Sequence, residues 1–462
     1  MAMQHSVVIA GGGPTGLMLA GELALAKVDV PVVERRPDQQ LAGSRAGGLH
    51  SRTLEILDQR GIAERFVAEG QKAQVAAFAG VSFDISAFPT RHNHGLGLWQ
   101  NHIERILAGW VGELPVTFYR GREVTGFDQD DRSVEVALSD GSALQGDYLV
   151  GCDGGRSLVR KTAGIEFPGC DPTMSNLIAE VELAEIPPEW GIRRDAQGVH
   201  GLSRVEYEIR DGKIIYADRG PVRVMITESR VGATAEPSLA ELREAMISVF
   251  GTDYGVHSPI WISRFSDMAR QAARYRERRV LLAGDAAHVH PPDGGQGLNM
   301  GIHDAVNLGW KLAQVVHRSS PESLLDTYHA ERYPVGAELL RNTMASALLR
   351  RTDERTNAVR SAMAELLSLD EPRERFAAMM SGLHVRYDMG LQEIDKAHPL
   401  VGRRMPDLEI QTNGRPLRVY SLLHTARPTL VNFDEGRGGD IAAWSDRVQT
   451  IDARYSGSWE LP

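Results

Sequence analysis

Cysteine is nearly missing from this chain: 462 residues hold only Cys152 and Cys170. That count supplies no disulfide framework, no cysteine-rich zinc site and no close dithiol pair. Excess positive charge is missing too. Lys and Arg total 51 against 61 Asp and Glu, a formal charge of −10, which gives no electrostatic reason to expect nucleic acid or an anionic membrane as partner. No long uninterrupted apolar run is present. Val7 to Ala26 comes nearest, ending in a signal-like Ala24-Leu25-Ala26. No Lys or Arg precedes it, Gly11-Gly12-Gly13-Pro14 interrupts it and Glu22 lies inside it, so neither a signal peptide nor a membrane span is expected. The expected location is cytoplasmic. Internal repeats and low-complexity tracts are also lacking. His288 and His290 flank a valine, with no Cys or carboxylate cluster at ligand spacing, so no metal is expected.

What is present reads as α/β. Ser6–Ala10 is an apolar strand, Gly11–Gly16 a turn, Leu17–Ala26 a helix and Val28–Glu34 a second strand, together half of a doubly wound sheet. Ile103–Val111 reads as a helix, and Val116–Tyr119, Ser133–Leu138 and Tyr148–Cys152 as strands. Between about Pro168 and Arg278 separate strands at Leu177–Leu183, Lys213–Tyr216 and Val222–Thr227 suggest an inserted sheet, with a helix at Leu239–Phe250. Strand-to-helix order returns at Val280–Ala283, followed by a long loop, a helix over Asp304–Val316 and a largely helical Leu324–Glu371. Trp310 shares a helical face with Val306 and Ala313 and is expected in the core. Beyond a linker at Lys396–Asp407, Leu417–Leu423 and Pro428–Phe433 read as strands of a small final unit.

Three motifs carry chemistry. Gly11-Gly12-Gly13-Pro14-Thr15-Gly16 matches G-x-G-x-x-G between a strand and a helix, where glycines admit a pyrophosphate to free N–H groups and the positive end of the helix dipole. Glu34 ends the second strand, where a carboxylate holds ribose hydroxyls and disfavours a 2′-phosphate, so FAD or NAD fits better than NADP. Asp153-Gly154 follows the strand Tyr148–Cys152, a place where a simple turn is an equal alternative. Gly284-Asp285 follows Val280–Ala283, so its carboxylate points into the crevice beyond the strand ends. The glycine-rich loop Pro291–Asn299 then offers backbone N–H groups to a flat ring before a helix begins.

As a set these residues resemble the class A flavoprotein aromatic hydroxylases, of the para-hydroxybenzoate hydroxylase type, in the branch of aromatic polyketide hydroxylases and rifampicin monooxygenases. Further shared stretches are Ser44-Arg45-Ala46, Asp58-Gln59-Arg60-Gly61, Gly309-Trp310-Lys311-Leu312 and Tyr328-His329-Ala330-Glu331-Arg332. The resemblance implies a Rossmann-like FAD domain over residues 1–72, 98–168 and 279–395, with a helical extension. It implies an inserted substrate-binding sheet domain over 73–97 and 169–278, and a thioredoxin-like C-terminal domain over 396–462 that ends before its last expected strands and, lacking cysteine, has no thiol redox role. It implies that Gly11, Gly13, Pro14, Thr15 and Gly16 bind the FAD pyrophosphate and Glu34 and Arg35 the adenosine side. Arg45, Gln100 and Asp153 lie along the cofactor, Asp285 holds the ribityl chain, and Pro292, Gly295, Gly297, Leu298 and Asn299 line the isoalloxazine, with Pro292 and Gly295 beside the reacting ring.

The implied activity is hydroxylation of a phenolic or polycyclic aromatic, polyketide- or antibiotic-like substrate. NAD(P)H, with NADPH preferred, reduces FAD, and O2 then forms a flavin C4a-hydroperoxide; no side chain need act as nucleophile. A homodimer is allowed. The segment Val199–Val231, expected at the substrate cavity, carries no assignable motif, so the substrate stays open. Baeyer–Villiger oxidation, epoxidation and drug sequestration by a flavin-bearing protein without turnover are the alternatives. A single G-x-G-x-x-G without a dithiol argues against a disulfide reductase, and the absence of Gly-Trp-x-Trp-x-Ile argues against a flavin halogenase.

Overall fold

The computed structural model describes residues 3–43, 46–78, 80–195, 198–210, 213–217, 219–232, 235–351, 353–390, 398–433, 444–445 and 447–457, with backbone only for 207–210 and 213–216. Its centre is a sheet in which Val280–Leu282, Ala143–Gly151, Met3–Ala10, Pro31–Glu34 and Thr117–Arg120 run parallel in that order. Parallel strands are covered on both faces, and the apolar runs Val7–Ala10 and Val280–Leu282 are accordingly buried throughout. An antiparallel pair, Val124–Gln129 with Val134–Leu138, joins this sheet at Ala143–Gly151; the first of these two strands has no clear periodicity and was not anticipated from sequence.

The first helix spans Pro14–Leu25, opening with a proline whose missing N–H costs nothing there. It packs on the helix Gln296–Val316, which approaches so closely that a Cβ at Gly309 would overlap the Cβ of Glu22 at 2.6 Å. That contact turns Ala305, Leu308 and Leu312 inward and leaves Trp310, 37% exposed, on the outer side. The core placement expected for Trp310 is therefore corrected: its neighbour Gly309, not Trp310, faces the partner helix.

The inserted sheet is antiparallel, in the order Gly191–Asp195, Gly198–Arg204, Val222–Thr227, Ser175–Leu183, Val256–Ser266. Leu177, Ala179, Val224 and Ile226 alternate onto one face and bury the helix Leu239–Phe250 through Leu242 and Met246. The helix begins with a capping box between Ser238 and Glu241 and ends at Gly251. The opposite face meets residues that follow the first strands of the parallel sheet: Arg223 stacks 4.0 Å from the Trp99 ring, and Trp261 packs against Gly43.

Among the described residues, 73–97 form no pairs with this sheet. Val75–Phe78 pairs with Val81–Asp84, and Phe78 and Phe83 pack against Leu349, Leu367 and Ala377 of the helical extension. Gln71–Ala73 and Gly95–Gly97 join Gly48–Leu49 instead. A two-stranded hairpin cannot bury Phe78 and Phe83 by itself, and the helices supply the apolar partner. In the final unit the expected strand Leu417–Leu423 is half strand (Arg415–Arg418, paired with Glu409–Thr412) and half 3-10 helix (Val419–Leu423). Thr429–Asn432 lies parallel to Gln449–Asp452, and Ile410, Val419, Tyr420 and Ala453 form a separate small core. No helix among the described residues is long and apolar enough to cross a membrane.

Candidate cofactor crevice

The three motif-bearing strands lie side by side, so their C-terminal ends open on one crevice. At the first end Gly11 has φ +107, and a Cβ there would overlap the carbonyl of Cys152 on the neighbouring strand. Only glycine lets the chain turn so close to the Asp153 strand. Around Gly13 nothing lies within 4 Å of where a Cβ would be, so the turn is open on the side that a pyrophosphate would approach. Gly13 caps the helix without a side-chain bond, and no acidic residue sits in its first turn. The first-turn amides are thus free to take an anion. Thr15 faces the other way, its hydroxyl against Gly284 and Gly301, and so ties the turn to the third motif.

Glu34 is buried, with Oε2 accepting from the Gly12 N–H at 2.7 Å and Oε1 from the Arg36 N–H at 2.9 Å and Nε at 3.0 Å. Burial alone would raise its pKa, but the Arg36 amide and charge and the Gly12 N–H outweigh that and hold it below the usual carboxylate value. Arg35 faces solvent; Arg36 is the residue that the structure sets on Glu34. Arg36 continues to Glu104 at 2.9 Å, Glu104 accepts from Gln100 Nε2 at 2.8 Å, and Gln100 Oε1 accepts from the Ala46 N–H at 3.2 Å. A hydrogen-bonded chain therefore runs from Glu34 to Ala46, just after Arg45, which itself lies outside the described residues. Arg36 and Glu104 were not singled out in the sequence; only the helical i,i+4 relation of Gln100 and Glu104 hinted at the second.

At the second strand end Asp153 Oδ2 accepts from the Val159 N–H at 3.1 Å, while Oδ1 is buried without a partner among the described residues. At the third, Asp285 is exposed and carries no hydrogen bond among the described residues, lying near Gly297. Each carboxylate thus has at least one oxygen without a hydrogen bond among the described residues.

Beneath Asp285 lies a hub that the sequence did not reveal. Asp304, fully buried, accepts from the Gly284 N–H at 3.0 Å, from His288 Nε2 at 2.6 Å and from Arg332 Nε at 2.7 Å. Burial would raise its pKa, but the charges of Arg332 and His288 more than offset this and hold it well below the ordinary value. Tyr328 donates to the Leu282 carbonyl at 2.8 Å, fixing the strand that feeds the same turn.

The Pro291–Asn299 segment differs from the sequence expectation in one respect. The helix begins at Gln296, not Asp304, so Gly297, Leu298 and Asn299 are its first turn rather than a loop. The amides of Gly297 and Leu298 still belong to the unpaired donors of a helix N-terminus, now with the helix dipole behind them. Gly294 and Gly295 supply the entry, both left-handed at φ +71 and +64. Asn299 holds the surroundings: Oδ1 accepts from the His50 N–H at 2.8 Å, and Nδ2 donates to the carbonyls of Gly48 at 3.2 Å and Gly295 at 2.9 Å. Pro292 is exposed and Asp293, next to it, is ion-paired with Arg350. Among the described residues no group of three or more potential metal ligands occurs.

These features fit FAD. An open glycine turn at a helix start, a buried unpaired carboxylate oxygen, an unpartnered Asp285 and a second helix N-terminus succeed one another along a single crevice. Comparison with known proteins agrees. The family described as "FAD binding domain" matches residues 4–343, and "Aromatic-ring hydroxylase, C-terminal" matches residues 398–461. Rifampicin monooxygenase of Streptomyces venezuelae is 43% identical, over 96% of this chain and 90% of that protein. The solved structure of anhydrotetracycline hydroxylase from Streptomyces rimosus is 41% identical with a TM-score of 0.88, over 98% of this chain and 90% of that one. Dialkyldecalin synthase of Streptomyces rugosporus is 38% identical, over 94% of this chain and 88% of that protein.

Proposed function

Since this chain belongs to the family of FAD-dependent aromatic-ring hydroxylases, we propose that it is an NADPH-consuming monooxygenase that hydroxylates a phenolic or polycyclic aromatic substrate of polyketide or antibiotic type. The observation that carries this reading is the unpartnered Asp285 on a turn gripped by Asp304, set between the open glycine turn and the helix start at Gln296. When bound, FAD would supply two-electron reduction by NADPH and activation of O2 at its C4a carbon for transfer to an electron-rich ring.

The roles left to the protein follow from placement. Amides of Thr15 and Gly16 would receive the pyrophosphate and Glu34 the ribose hydroxyls, Asp153 would accept from the cofactor's middle portion, and Asp285 from the ribityl hydroxyls. Amides of Gly297 and Leu298 would stabilise negative charge on the ring. The inserted sheet would cover the ring with its inner face, where Ile178 pairs across to Met225 and Ser263, and would exclude water. The rifampicin and anhydrotetracycline relatives suggest a substrate of several fused rings.

The test is a screen of phenolic polyketides and naphthoquinone antibiotics for stimulated NADPH oxidation by FAD-loaded protein, with product mass. Stimulation with gain of one oxygen supports the reading, and product structure separates hydroxylation from epoxidation or Baeyer–Villiger oxidation. Tight binding of such compounds without faster NADPH oxidation would favour sequestration. A second reading, bond formation without oxygenation, is favoured by the dialkyldecalin synthase relative and predicts a product with unchanged oxygen count.

A further inference from the structure

Behind the Gly294–Gly295 turn, sharing only Asp293, Gln296 and Asn299 with the glycine-rich loop, lies a cavity with no part in the motifs' other residues. It is lined by the start of the helix Gln296–Val316, by Asp326–Leu348 and Asp370–Ser381, and by Phe78 of the short hairpin, and it opens to one side. Its polar side chains are largely tied to one another rather than offered to its interior. Asn342 Nδ2 donates to Met379 Sδ at 2.7 Å, Gln296 Nε2 to the Met380 carbonyl at 3.2 Å, and Thr343 Oγ1 to the Leu339 carbonyl at 2.9 Å. His303 Nε2 meets Thr53 Oγ1 at 3.0 Å. Asn299 is consumed by the three bonds given above.

Ser346 and Asp293, the latter paired with Arg350, also border the space, but most of its wall is apolar, supplied by Phe78, Met300, Val335, Leu339, Met379 and Met380. A cavity holds water only where several polar partners converge; an apolar one stays dry. At one end stand Glu338 and His384, 3.2 Å apart and both partly exposed, which makes a polar mouth. At the other end His50 reaches to 3.9 Å from the position a Cβ of Gly295 would take. Burial holds the His50 pKa down to about 4, so its ring is uncharged at neutral pH and does not draw ions or water inward.

The volume decides what such a space can take. At about 50 Å³ it exceeds one water but is about a third of the roughly 150 Å³ cavity that admits benzene. A fused-ring substrate is excluded, and a small apolar gas fits. We propose that this cavity is the passage through which O2 reaches the flavin ring from the side of the Gly294–Gly295 turn, away from the substrate-facing sheet. The inference rests on the flavin assignment made above. It gives the co-substrate a route that stays open while an aromatic ligand fills the other side.

Xenon marks dry apolar cavities without needing flavin or turnover, and so tests the cavity independently of the flavin reading. Crystals of the holoenzyme under xenon pressure should show density between Met300, Leu339 and Met380. Ordered water there instead, or no xenon, overturns the proposal. The kinetic arm uses Val335→Phe and Leu339→Phe, which fill the space. After anaerobic reduction with dithionite, mixing with O2 returns the two electrons of the flavin to O2 as hydrogen peroxide, with protons from solvent. Both variants should reoxidise several-fold more slowly than the unaltered protein, with slopes against O2 concentration reduced and FAD content and NADPH-driven reduction unchanged. Unaltered slopes in either variant that retains FAD overturn the proposal. Failure of the unaltered protein to bind FAD at all would overturn the flavin assignment instead, and the oxygen role with it.

Discussion

Replacing Asp304 by asparagine perturbs the crevice at a point that touches no cofactor. In the native protein one carboxylate receives the Gly284 N–H, His288 and Arg332, and both it and the Arg332 side chain are almost wholly inaccessible. The amide that replaces it keeps a single acceptor oxygen and carries no charge. Arg332 is then a buried cation without a counter-charge, and removing one partner of a buried pair costs about 3–5 kcal/mol. The one oxygen of the replacing amide can still accept from Arg332, and the amino group then faces Gly284 and His288, whose two hydrogen bonds are lost. The second consequence is local. Without its accepted N–H the turn Gly284–Ala286 must be ordered by the ligand, and fixing one residue costs about 1–2 kcal/mol. FAD affinity should therefore fall about tenfold, the equivalent of 1.4 kcal/mol. Urea unfolding of the stripped protein reads the first effect, and flavin fluorescence during FAD titration reads the second. The paired replacement Asp304→Leu with Arg332→Met should recover much of the stability, because an apolar pair of similar volume leaves no stranded charge, yet it should not restore FAD affinity. Asp304→Asn protein with native stability and native FAD affinity would refute the hub.

Asp285→Ala should lower the FAD content of purified protein while leaving the stripped protein as stable as before, since Asp285 has no hydrogen bond among the described residues; unchanged flavin content would count against its ribityl role. Gly11→Ala forces a positive φ on a residue with a Cβ that overlaps the Cys152 carbonyl, at a cost of about 1–3 kcal/mol for the backbone alone; flavin absorbance and melting temperature should both drop, and a fully loaded variant would contradict the turn geometry. His50 is held neutral by burial, with its pKa lowered to about 4 from 6.5. The unfolded chain therefore binds a proton that the folded chain refuses, so this contribution to stability is complete above about pH 6.5 and is lost as pH falls towards 4. His50→Gln should flatten the decline of melting temperature over that interval, and an unchanged pH profile would show that His50 is not held neutral.

The sequence made the crevice legible where chemistry is written as glycine or carboxylate beside an apolar strand. Gly11–Gly16, Glu34, Asp153 and Asp285 all fall at strand ends, and the parallel register brings them together. Asp304 stayed hidden because its partners His288 and Arg332 lie 16 and 28 residues away in other elements, and no local period marks such a meeting. The helix start at Gln296 was placed too late because Gly297 and Gly301 depress helix propensity, which packing on Pro14–Leu25 overrides. The strand Val256–Ser266 was missed because neither face of it is continuously apolar: four of its first five residues are exposed. Arg36 rather than Arg35 on Glu34 is a matter of side-chain direction just past a strand, which neighbouring identical residues cannot disclose.

The most direct test of the oxygenase claim follows the oxygen atom itself. FAD-loaded protein, NADPH and an aromatic compound that stimulates NADPH oxidation would be incubated under 18O2 in ordinary water and the product weighed. Incorporation of one 18O per NADPH consumed is the predicted result. A product without 18O, whether of unchanged composition or carrying oxygen drawn from water, would contradict it.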